Sequence, residues 1–276
     1  MNALDLSDLL QRAFSEDIGM GDLTTDAIFE KSESATGIYT AKADGVLAGL
    51  KIIKTGYQLI DPTIKVTLMK KDGHSVQKGD TIAKVQGPIR SLLTGERVIL
   101  NFIQHVGGIA TATDQVIKKL DDPAISVTDT RKTLPGLRSL QKYAVRCGGG
   151  RNHRFRLDDG VMIKDNHIKA AGSIGKAVEK VRNEIGHMVK IEVETESKGQ
   201  VEEAVRVGAD VIMLDNRTPD EVIELRKIIP DDIVVEVSGG ITPDNIANYK
   251  GCGANVISLG WLTHSVQALD ISFNLK

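Results

Sequence analysis

The chain has 276 residues, with 35 Lys and Arg against 37 Asp and Glu, so its formal net charge is -2. Hydrophobic residues make up 41% of the chain, which is enough for a sizeable core and excludes disorder as the dominant state. The nearly neutral total also argues against a nucleic-acid binder that relies on overall basicity. The length allows one large domain or two modest ones.

The charge is unevenly distributed along the chain. Between Arg131 and Lys169 there are ten Lys or Arg residues and three Asp, a net charge of +7, so the remainder carries -9. We call this segment the basic block. A basic block inside an otherwise acidic protein indicates an anionic ligand or partner.

The cysteines and the hydropathy pattern predict the compartment. The two cysteines, Cys147 and Cys252, have no metal-ligand spacing and are too few for a disulfide scaffold, as is usual in a reduced, cytoplasmic protein. No run of 18 apolar residues occurs, so we expect no membrane span. The acidic, amphipathic opening residues lack the features of a signal peptide.

The first part of the chain, residues 1–108, is predicted to be α+β. Apolar residues from Leu4 to Ala13 give one helical face, and short strand-like runs separated by glycine follow at 36–43, 44–50, 65–71 and 80–85. The spacing from Thr94 to Leu120 is helical, and Gly107-Gly108 predict two helices meeting at a close contact or a kink.

The rest of the chain alternates between strand and helix patterns. Six strand-like runs are predicted at 125–129, 161–164, 189–194, 211–214, 233–237 and 255–259. Helices are predicted at about 173–185, 197–207, 218–228 and 243–250, several of them with Ser or Thr caps. This succession predicts parallel strands with right-handed crossovers, and we interpret it as an α/β barrel, either complete or incomplete.

Polar residues follow these strands, where barrel enzymes place their reactive groups. Glu194 and Asp215 offer hard oxygens suited to Mg²⁺, or alternatively to ribose hydroxyls. Backbone N–H groups of Ser238-Gly239-Gly240 and of Gly260 can bind a phosphate. Arginines of the basic block suit a small polycarboxylate. Any one strand end is more often structural, but six together predict a site for a phosphorylated ligand and a metal.

Two other classes of protein fit less well. A nucleic-acid-binding module would interleave stacking aromatics with the cations, yet the basic block holds only Tyr143 and Phe155. The turns at 71–80 resemble the hairpins of biotinyl and lipoyl carrier domains, but no single lysine stands at a protruding turn there. A carrier domain would also leave the charges at the strand ends unexplained.

The longest motifs carry a resemblance to a known family. The segments EDIGMGDLTT, GERVILNFIQHVGGIATAT, DTRKTLPGLRSLQKYAVRCGGGRNHRFRLDDGVMIKDNH, IEVE, VIMLDN, EVSGGI and THSVQALDIS span essentially the whole chain. The sequence resembles the quinolinate phosphoribosyltransferase family. The resemblance implies an N-terminal α+β sandwich domain at 1–108 and an incomplete parallel α/β barrel of six or seven strands at 109–267, with residues 268–276 returning to the first domain.

The resemblance also implies roles for matching positions. Quinolinate would be bound by Arg97 of the neighbouring subunit and by Arg131, Lys132, His153, Arg154 and Lys164. Phosphoribosyl pyrophosphate and Mg²⁺ would be held at Glu194 and Asp215, with the phosphates at Ser238, Gly239, Gly240, Gly260 and His264. The catalytic residues would be Lys132, Lys164, Glu194 and Asp215. A homodimer, sometimes a hexamer, with an active site shared between subunits is expected.

Three positions depart from the family pattern. Leu134 stands where a second threonine is common, Arg156 where a small residue is usual, and Trp261 where alanine is usual. A molybdenum-transport-associated paralogue of the same fold is the nearest alternative, and the ending Lys164-Asp-Asn-His167, which that paralogue lacks, is intact. We therefore expect decarboxylating transfer of a phosphoribosyl group to quinolinate.

Overall fold

The computed structural model describes residues 3–276, which form two compact units. The first unit contains the residues up to Asp114 together with Thr133–Gly149 and Leu262–Lys276, and the second contains Gln115–Lys132 and Gly150–Trp261. Contacts thus divide the chain into interleaved segments, whereas the prediction gives 109–267 as one continuous domain and 1–108 with 268–276 as the other.

The elements are as follows in chain order. The helices are α1 Ala3–Ile18, α2 Leu23–Ile28, α3 Lys51–Ile60, α4 Ile89–Leu120, α5 Arg138–Cys147, α6 Asp165–Ala171, α7 Ile174–Glu184, α8 Lys198–Arg206, α9 Pro219–Arg226 and α10 Trp261–His264. The strands are β1 Ser34–Ala41, β2 Gly45–Val46, β3 Lys65–Leu68, β4 Ser75–Val76, β5 Thr81–Pro88, β6 Ser126–Thr128, β7 Val161–Ile163, β8 Ile191–Thr195, β9 Val211–Asp215, β10 Val234–Ser238, β11 Val256–Ser258 and β12 Ile271–Leu275.

An antiparallel sheet in the order β12-β1-β5-β3 organises the first unit. The chain's last strand pairs with its first, with Ala41 opposite Ile271. Apolar residues of α1, α3 and α4 share one core with this sheet, including the fully buried Leu10, Ile53 and Ile99. Removal of this much apolar surface from water is the main force that holds the unit together.

Helix α4 is continuous over 32 residues, so the predicted division into two helices at Gly107-Gly108 is wrong. The glycines mark a close contact instead. A Cβ atom on Gly108 would lie 2.1 Å from the backbone oxygen of Gln267, and one on Gly107 would lie 3.1 Å from Leu269. Glycine is therefore required here by the approach of the chain that leads to β12.

The strand predicted at 44–50 is also largely wrong, because only Gly45–Val46 is extended and α3 begins at Lys51. Gly49 has a positive φ of 75°, which ends the extended conformation. The Leu50 N–H donates to Asp72 Oδ1 at 2.9 Å, so the start of α3 is held by a side chain from the loop between β3 and β4.

The second unit contains a parallel sheet of six strands in the order β6-β11-β10-β9-β8-β7. All six predicted strands are present, and the fold class of an N-terminal α+β sandwich with an incomplete α/β barrel is confirmed. The terminal strands β6 and β7 do not pair with each other. A single bridge between Thr128 and Arg151 instead joins β6 to the loop that precedes β7.

Three helices of this unit begin where the sequence predicts. Ser173, Ser197 and Thr218 each accept a hydrogen bond from a backbone N–H of the first turn, at the starts of α7, α8 and α9. Such caps satisfy donors that the helix itself leaves unpaired. Helix α8 then packs on β8 and β9, with Val201 and Ala204 fully buried.

The fourth predicted helix, at 243–250, is wrong in extent. Only a 3-10 turn at Ile246–Tyr249 forms. Asn245 Oδ1 accepts the N–H of Thr242 at 2.8 Å, and this local side-chain bond favours a turn over an α-helical start. Helices α5 and α6 lie in segments for which the sequence patterns predict no helix. Within residues 3–276, no helix is long and apolar enough to cross a membrane.

Candidate functional site

A cavity of about 420 Å³ lies at the carboxyl ends of the parallel strands. It is lined by Thr130, Arg131, Lys132, His153, Arg154, Met162, Lys164, Glu194, Met213, Asp215, Glu236, Ser238 and Ser258. Eight of these residues are sequence-predicted site residues: Arg131, Lys132, His153, Arg154, Lys164, Glu194, Asp215 and Ser238. The structure therefore brings most of the predicted set together.

Four cationic side chains line one side of this cavity. Arg131 and Lys132 follow β6, Lys164 follows β7, and Arg154 lies in the loop between these strands. Burial and the charge of Arg131 lower the pKa of Arg154. Two guanidinium groups that repel each other in a partly desolvated space favour the binding of an anion between them.

Two carboxylates face the same cavity from neighbouring strands. Glu194 lies on β8 and Asp215 ends β9. Burial raises the pKa of Asp215, and the charge of Glu194 raises it further. Glu194 also forms an ion pair with Lys164. A carboxylate whose ionised form is disfavoured by a neighbouring carboxylate suits a divalent cation, which offsets the repulsion.

Asp215 is held in place by its neighbour in the chain. The side-chain amide of Asn216 donates to Asp215 Oδ2 at 2.7 Å, and the backbone N–H of Asn216 donates to Ser238 O at 2.8 Å. Asn216 has a φ of 53°, in the left-handed region. Gly239 also has a positive φ, of 87°, so both turns adopt conformations that β-branched residues avoid.

The loop before β7 is anchored by backbone groups. The Arg151 N–H donates to Val127 O at 2.8 Å, and the Arg154 guanidinium donates to Gly160 O at 2.7 Å. The His153 N–H donates to Asp129 Oδ1 at 3.0 Å, and Asp129 is fully buried. The loop thus occupies the opening between β6 and β7 and delivers His153 and Arg154 to the cavity.

A second polar layer lies deeper in the barrel. Glu192 and Glu236 are buried, and Oε2 of each approaches His153 Nε2, at 3.1 Å and 3.5 Å respectively. Burial first, and then the charge of Glu192, raises the pKa of Glu236 to about 7. Parallel barrels usually fill this space with branched apolar residues, so two buried carboxyl groups here need partners that compensate for their burial.

Five lining residues are outside the predicted site set, although two of them, Thr130 and Glu236, stand at the ends of predicted strands: Thr130, Met162, Met213, Glu236 and Ser258. A signal for Glu236 was available, because it precedes Ser238 by two residues on one strand and side chains two apart share a face. The same period places Glu192 below Glu194. Ser258 lines the cavity because its side chain lies on the face of β11 that points into the barrel. A strand of three residues shows too little alternation for that face to be predicted from the sequence.

The remaining predicted residues occupy several places. Gly240 has a positive φ of 65°, and Gly260 follows β11 directly before α10. Arg97 and His264 belong to the first unit. Arg97 lies on α4 and lines a groove there with residues that include Asp22 and Leu23.

The three departures from the family pattern are accommodated locally. The Trp261 indole N–H donates to Ile241 O at 3.0 Å. Arg156 is exposed, and its backbone N–H donates to Asp159 Oδ2 at 3.2 Å. Leu134 is 40% exposed, and its backbone N–H donates to Gln141 Oε1 at 2.9 Å. None of the three lines the cavity.

Two family models match the chain and together cover most of it. Residues 22–106 match the model described as "Quinolinate phosphoribosyl transferase, N-terminal domain". Residues 109–274 match the model described as "Quinolinate phosphoribosyl transferase, C-terminal domain". The resemblance found in the sequence motifs is thereby confirmed.

Individual proteins agree with the family models. A Bacillus subtilis (strain 168) protein named "Probable nicotinate-nucleotide pyrophosphorylase [carboxylating]" is 54% identical over 275 residues, covering 100% of this chain and 95% of its own length. A Nicotiana tabacum protein named "Quinolinate phosphoribosyltransferase [decarboxylating] 2a, mitochondrial" is 38% identical over 98% of this chain and 82% of its own. The crystal structure of NadC from Streptococcus pyogenes superposes with a TM-score of 0.97 at 40% identity, over 100% of this chain and 99% of that one.

Proposed function

We propose that this chain, which belongs to the quinolinate phosphoribosyl transferase family, transfers the phosphoribosyl group of 5-phosphoribosyl 1-pyrophosphate to quinolinate. The products are nicotinate mononucleotide, CO₂ and pyrophosphate, a step in the de novo synthesis of NAD. One observation carries the proposal: a single cavity combines four cationic side chains with two carboxylates at the strand ends. Both substrates are polyanions, and one of them carries a ribose.

The cationic side of the cavity is the proposed quinolinate site. Arg131 and Arg154 present guanidinium groups that can pair bidentately with the two carboxylates of quinolinate. His153, Lys132 and Lys164 line the same cavity. The ion pair between Lys164 and Glu194 leaves the lysine beside both proposed substrates, where it can exchange its carboxylate partner for a substrate anion.

The opposite side is the proposed phosphoribosyl pyrophosphate site. Glu194 and Asp215 are assigned to the ribose and its metal. Ser238, Gly239, Gly240, Gly260 and His264 are assigned to the phosphate groups. The positive φ angles of Gly239 and Gly240 support this assignment, because successive N–H groups in such turns can converge on an anion.

Mg²⁺ is the proposed metal, and the residues present fit it. Glu194 and Asp215 offer hard oxygen ligands. Burial first, and then the charge of Glu194, raises the pKa of Asp215, and a divalent cation would offset that repulsion. Mg²⁺ is commonly held by one or two carboxylates together with substrate oxygens. When bound, Mg²⁺ neutralises charge on the leaving pyrophosphate.

The proposed chemistry needs no protein nucleophile. The pyridine nitrogen of quinolinate forms a bond to C1 of the ribose while the bond from C1 to pyrophosphate breaks. Glu194 and Asp215 stabilise positive charge that develops at the ribose. Placing two reactants side by side can lower the barrier by several kcal/mol. The bond between C2 and its carboxylate then breaks, the electron pair passes to C2 beside the new pyridinium, and C2 takes up a proton.

A homodimer, or a hexamer built from dimers, is proposed as the working form, with Arg97 contributed to the neighbouring subunit's cavity. The groove that Arg97 lines also contains Leu23, which is 88% exposed. Arginine is enriched at protein–protein interfaces relative to the rest of the surface, which supports this assignment. A cytoplasmic location is proposed from the free Cys147 and Cys252.

The direct experiment is an assay of the purified protein with quinolinate, phosphoribosyl pyrophosphate and Mg²⁺. We expect equimolar nicotinate mononucleotide and CO₂, detected by chromatography and by release of label from quinolinate labelled at its C2 carboxylate. A matched reaction contains nicotinate instead of quinolinate. Turnover of nicotinate without turnover of quinolinate would assign a different phosphoribosyl transfer. Turnover of neither would favour the paralogue with another acceptor.

A further inference from the structure

His153, Glu192 and Glu236 form a buried group, and the chemistry described above gives no role to its two carboxyl groups. We call it the buried triad. Side-chain exposure is 14% for His153, 8% for Glu192 and 5% for Glu236. The three side chains come from three elements, the loop before β7, β8 and β10. A charged group so far removed from water needs a compensating partner.

The hydrogen bonds around His153 determine which ring nitrogen carries the proton. The Arg154 backbone N–H donates to His153 Nδ1 at 2.8 Å. A ring nitrogen that accepts a hydrogen bond has no hydrogen of its own, so in the neutral ring the proton is on Nε2. Nε2 faces Glu192 Oε2 at 3.1 Å and Glu236 Oε2 at 3.5 Å.

The two carboxyl groups are the acceptors that this tautomer needs. Their second oxygens, Oε1 of Glu192 and of Glu236, are buried and have no hydrogen-bond partner. The Nε2–H is a hydrogen-bond donor within reach of both carboxyl groups, and the Ser258 hydroxyl is a further donor that acts on Glu236 alone. The side chain of Asp129 holds the backbone N–H of His153 at 3.0 Å, so the residue is fixed at its backbone and at both ring nitrogens.

The triad lies directly behind the cationic side of the cavity. His153 and Glu236 line the cavity, whereas Glu192 does not and lines a second cavity at the other end of the strands. Glu192 therefore acts on a ligand in the first cavity through neighbouring groups, through its contact with His153 and through the effect of its charge on Arg154. The imidazole is the group that it contacts.

We propose that Glu192 and Glu236 are positioning residues that hold His153 as its Nε2–H tautomer and fix the ring in the wall of the quinolinate site. The proposal rests on the proposed function for the identity of the ligand. The tautomer itself is a property of the free protein.

The same three side chains present donor atoms within 4.8 Å of one another, a spacing that a divalent metal could also use. A hydrogen and a metal cannot both be bound at Nε2, because an Nε2 that carries a hydrogen has no lone pair for a metal. A metal on Nε2 would leave the ring hydrogen on Nδ1, which could then not accept the Arg154 N–H. The observed hydrogen bond to Nδ1 therefore favours the Nε2–H tautomer over a bound metal.

The test compares two double variants. Glu192→Met with Glu236→Met removes both acceptors while conserving length. No buried carboxylate remains in the triad, and the loss of acceptors for the His153 Nε2–H is expected to cost about 1 to 3 kcal/mol of stability. Glu192→Gln with Glu236→Gln keeps an acceptor oxygen at each position and is the matched conservative control. Circular dichroism and the melting temperature establish that each variant is folded.

Kinetics gives the first readout. In the methionine variant we expect the KM for quinolinate to rise at least tenfold, while the KM for phosphoribosyl pyrophosphate stays within about twofold of wild type. The glutamine variant should stay within about threefold of wild type for both substrates. An unchanged quinolinate KM in the methionine variant, or an equal rise in the glutamine variant, overturns the proposal.

Nitrogen NMR of histidine-labelled protein gives a second readout that needs no substrate. We expect His153 in wild type to show an unprotonated Nδ1 and a protonated Nε2, the signal being assigned by its loss in His153→Gln. The methionine variant should show a mixture of tautomers. A protonated Nδ1 in wild type overturns the proposal, as does a bound metal that is lost in His153→Gln and kept in Asp215→Asn. If quinolinate is not turned over but this signal is found, the proposed function fails and the tautomer assignment stands.

Discussion

Gly239 and Asn216 approach each other so closely that a Cβ atom on residue 239 would lie 2.2 Å from Asn216 Oδ1. The same atom would lie 2.9 Å from Asp215 Oδ1. The carboxylate assigned to the ribose and Mg²⁺ therefore depends on the absence of a side chain on the neighbouring strand's turn.

Gly239→Ala should displace Asn216 and with it Asp215, and the positive φ of 87° adds backbone strain. We expect the KM for phosphoribosyl pyrophosphate to rise at least tenfold in steady-state kinetics. Gly208→Ala is the matched control, because Gly208 has a φ of 70° and nothing within 4 Å of the added atom. It should lose about 1 kcal/mol of stability and keep its kinetics. An equal KM for phosphoribosyl pyrophosphate in Gly239→Ala and Gly208→Ala would contradict the assignment of the Gly239 turn to the binding of that substrate.

Arg131→Ala should raise the KM for quinolinate by one to two orders of magnitude or abolish turnover. Loss of a guanidinium that pairs with a carboxylate in a partly desolvated site costs about 1.5 to 3 kcal/mol. Initial rates over a range of quinolinate concentrations measure the effect. Arg206→Ala, at the exposed end of α8, should be indistinguishable from wild type. Near-normal kinetics for Arg131→Ala would remove this residue from the site.

Glu236→Gln should stabilise the protein at pH 8 but not at pH 4.5. Burial raises the pKa of Glu236 from 4.5 to about 7, so the folded protein keeps a proton that the unfolded chain releases between these values. The free energy of unfolding therefore falls as the pH rises through this window. Glutamine mimics the protonated form and avoids this fall, so at pH 8 the free energy of unfolding of the variant should exceed that of wild type by up to about 3 kcal/mol.

Urea unfolding at the two pH values measures this difference between variant and wild type. Glu224→Gln, on exposed α9 with Lys227 as its partner, provides the comparison and should shift neither curve. A constant difference between Glu236→Gln and wild type across the window would mean that Glu236 does not titrate there.

Gly108→Ala should destabilise the first unit severely. The added Cβ would meet the backbone oxygen of Gln267 at 2.1 Å, and backbone cannot move aside as a flexible side chain can. We expect a loss of at least 3 kcal/mol, in the range of severe overpacking, measured by thermal unfolding. Gly199→Ala on α8, with nothing within 4 Å, should be neutral or slightly stabilising. A wild-type melting temperature for Gly108→Ala would show that β12 and its lead-in are displaced at little cost.

The barrel was predictable because its signals are local. Each strand is a short apolar run, and three of the helices that follow have a Ser or Thr cap. The cavity residues at those strand ends followed from the same reasoning, since parallel strands bring their carboxyl ends together. Local patterns were sufficient for Lys164, Glu194 and Asp215.

Other features depend on contacts that sequence patterns do not carry. Gly107-Gly108 indicated a close contact or a kink, and only the path of Gln267 shows that it is a contact within an unbroken helix. The buried triad combines a loop residue, His153, with two strand residues that are 44 positions apart. Their meeting is determined by the order of strands in the sheet, which the one-dimensional pattern leaves open.

The pairing of β12 with β1 has a consequence for the synthesis of this protein. Strand β1 emerges early from the ribosome, but its partner at Ile271 follows Ala41 by about 230 residues. During most of translation, therefore, one edge of β1 has no strand to pair with and exposes backbone groups that can join to other chains. Before β12 is synthesised, the nascent chain should be most sensitive to temperature and to chaperone supply. During overproduction, chains stalled before residue 271 are the species that we expect to aggregate.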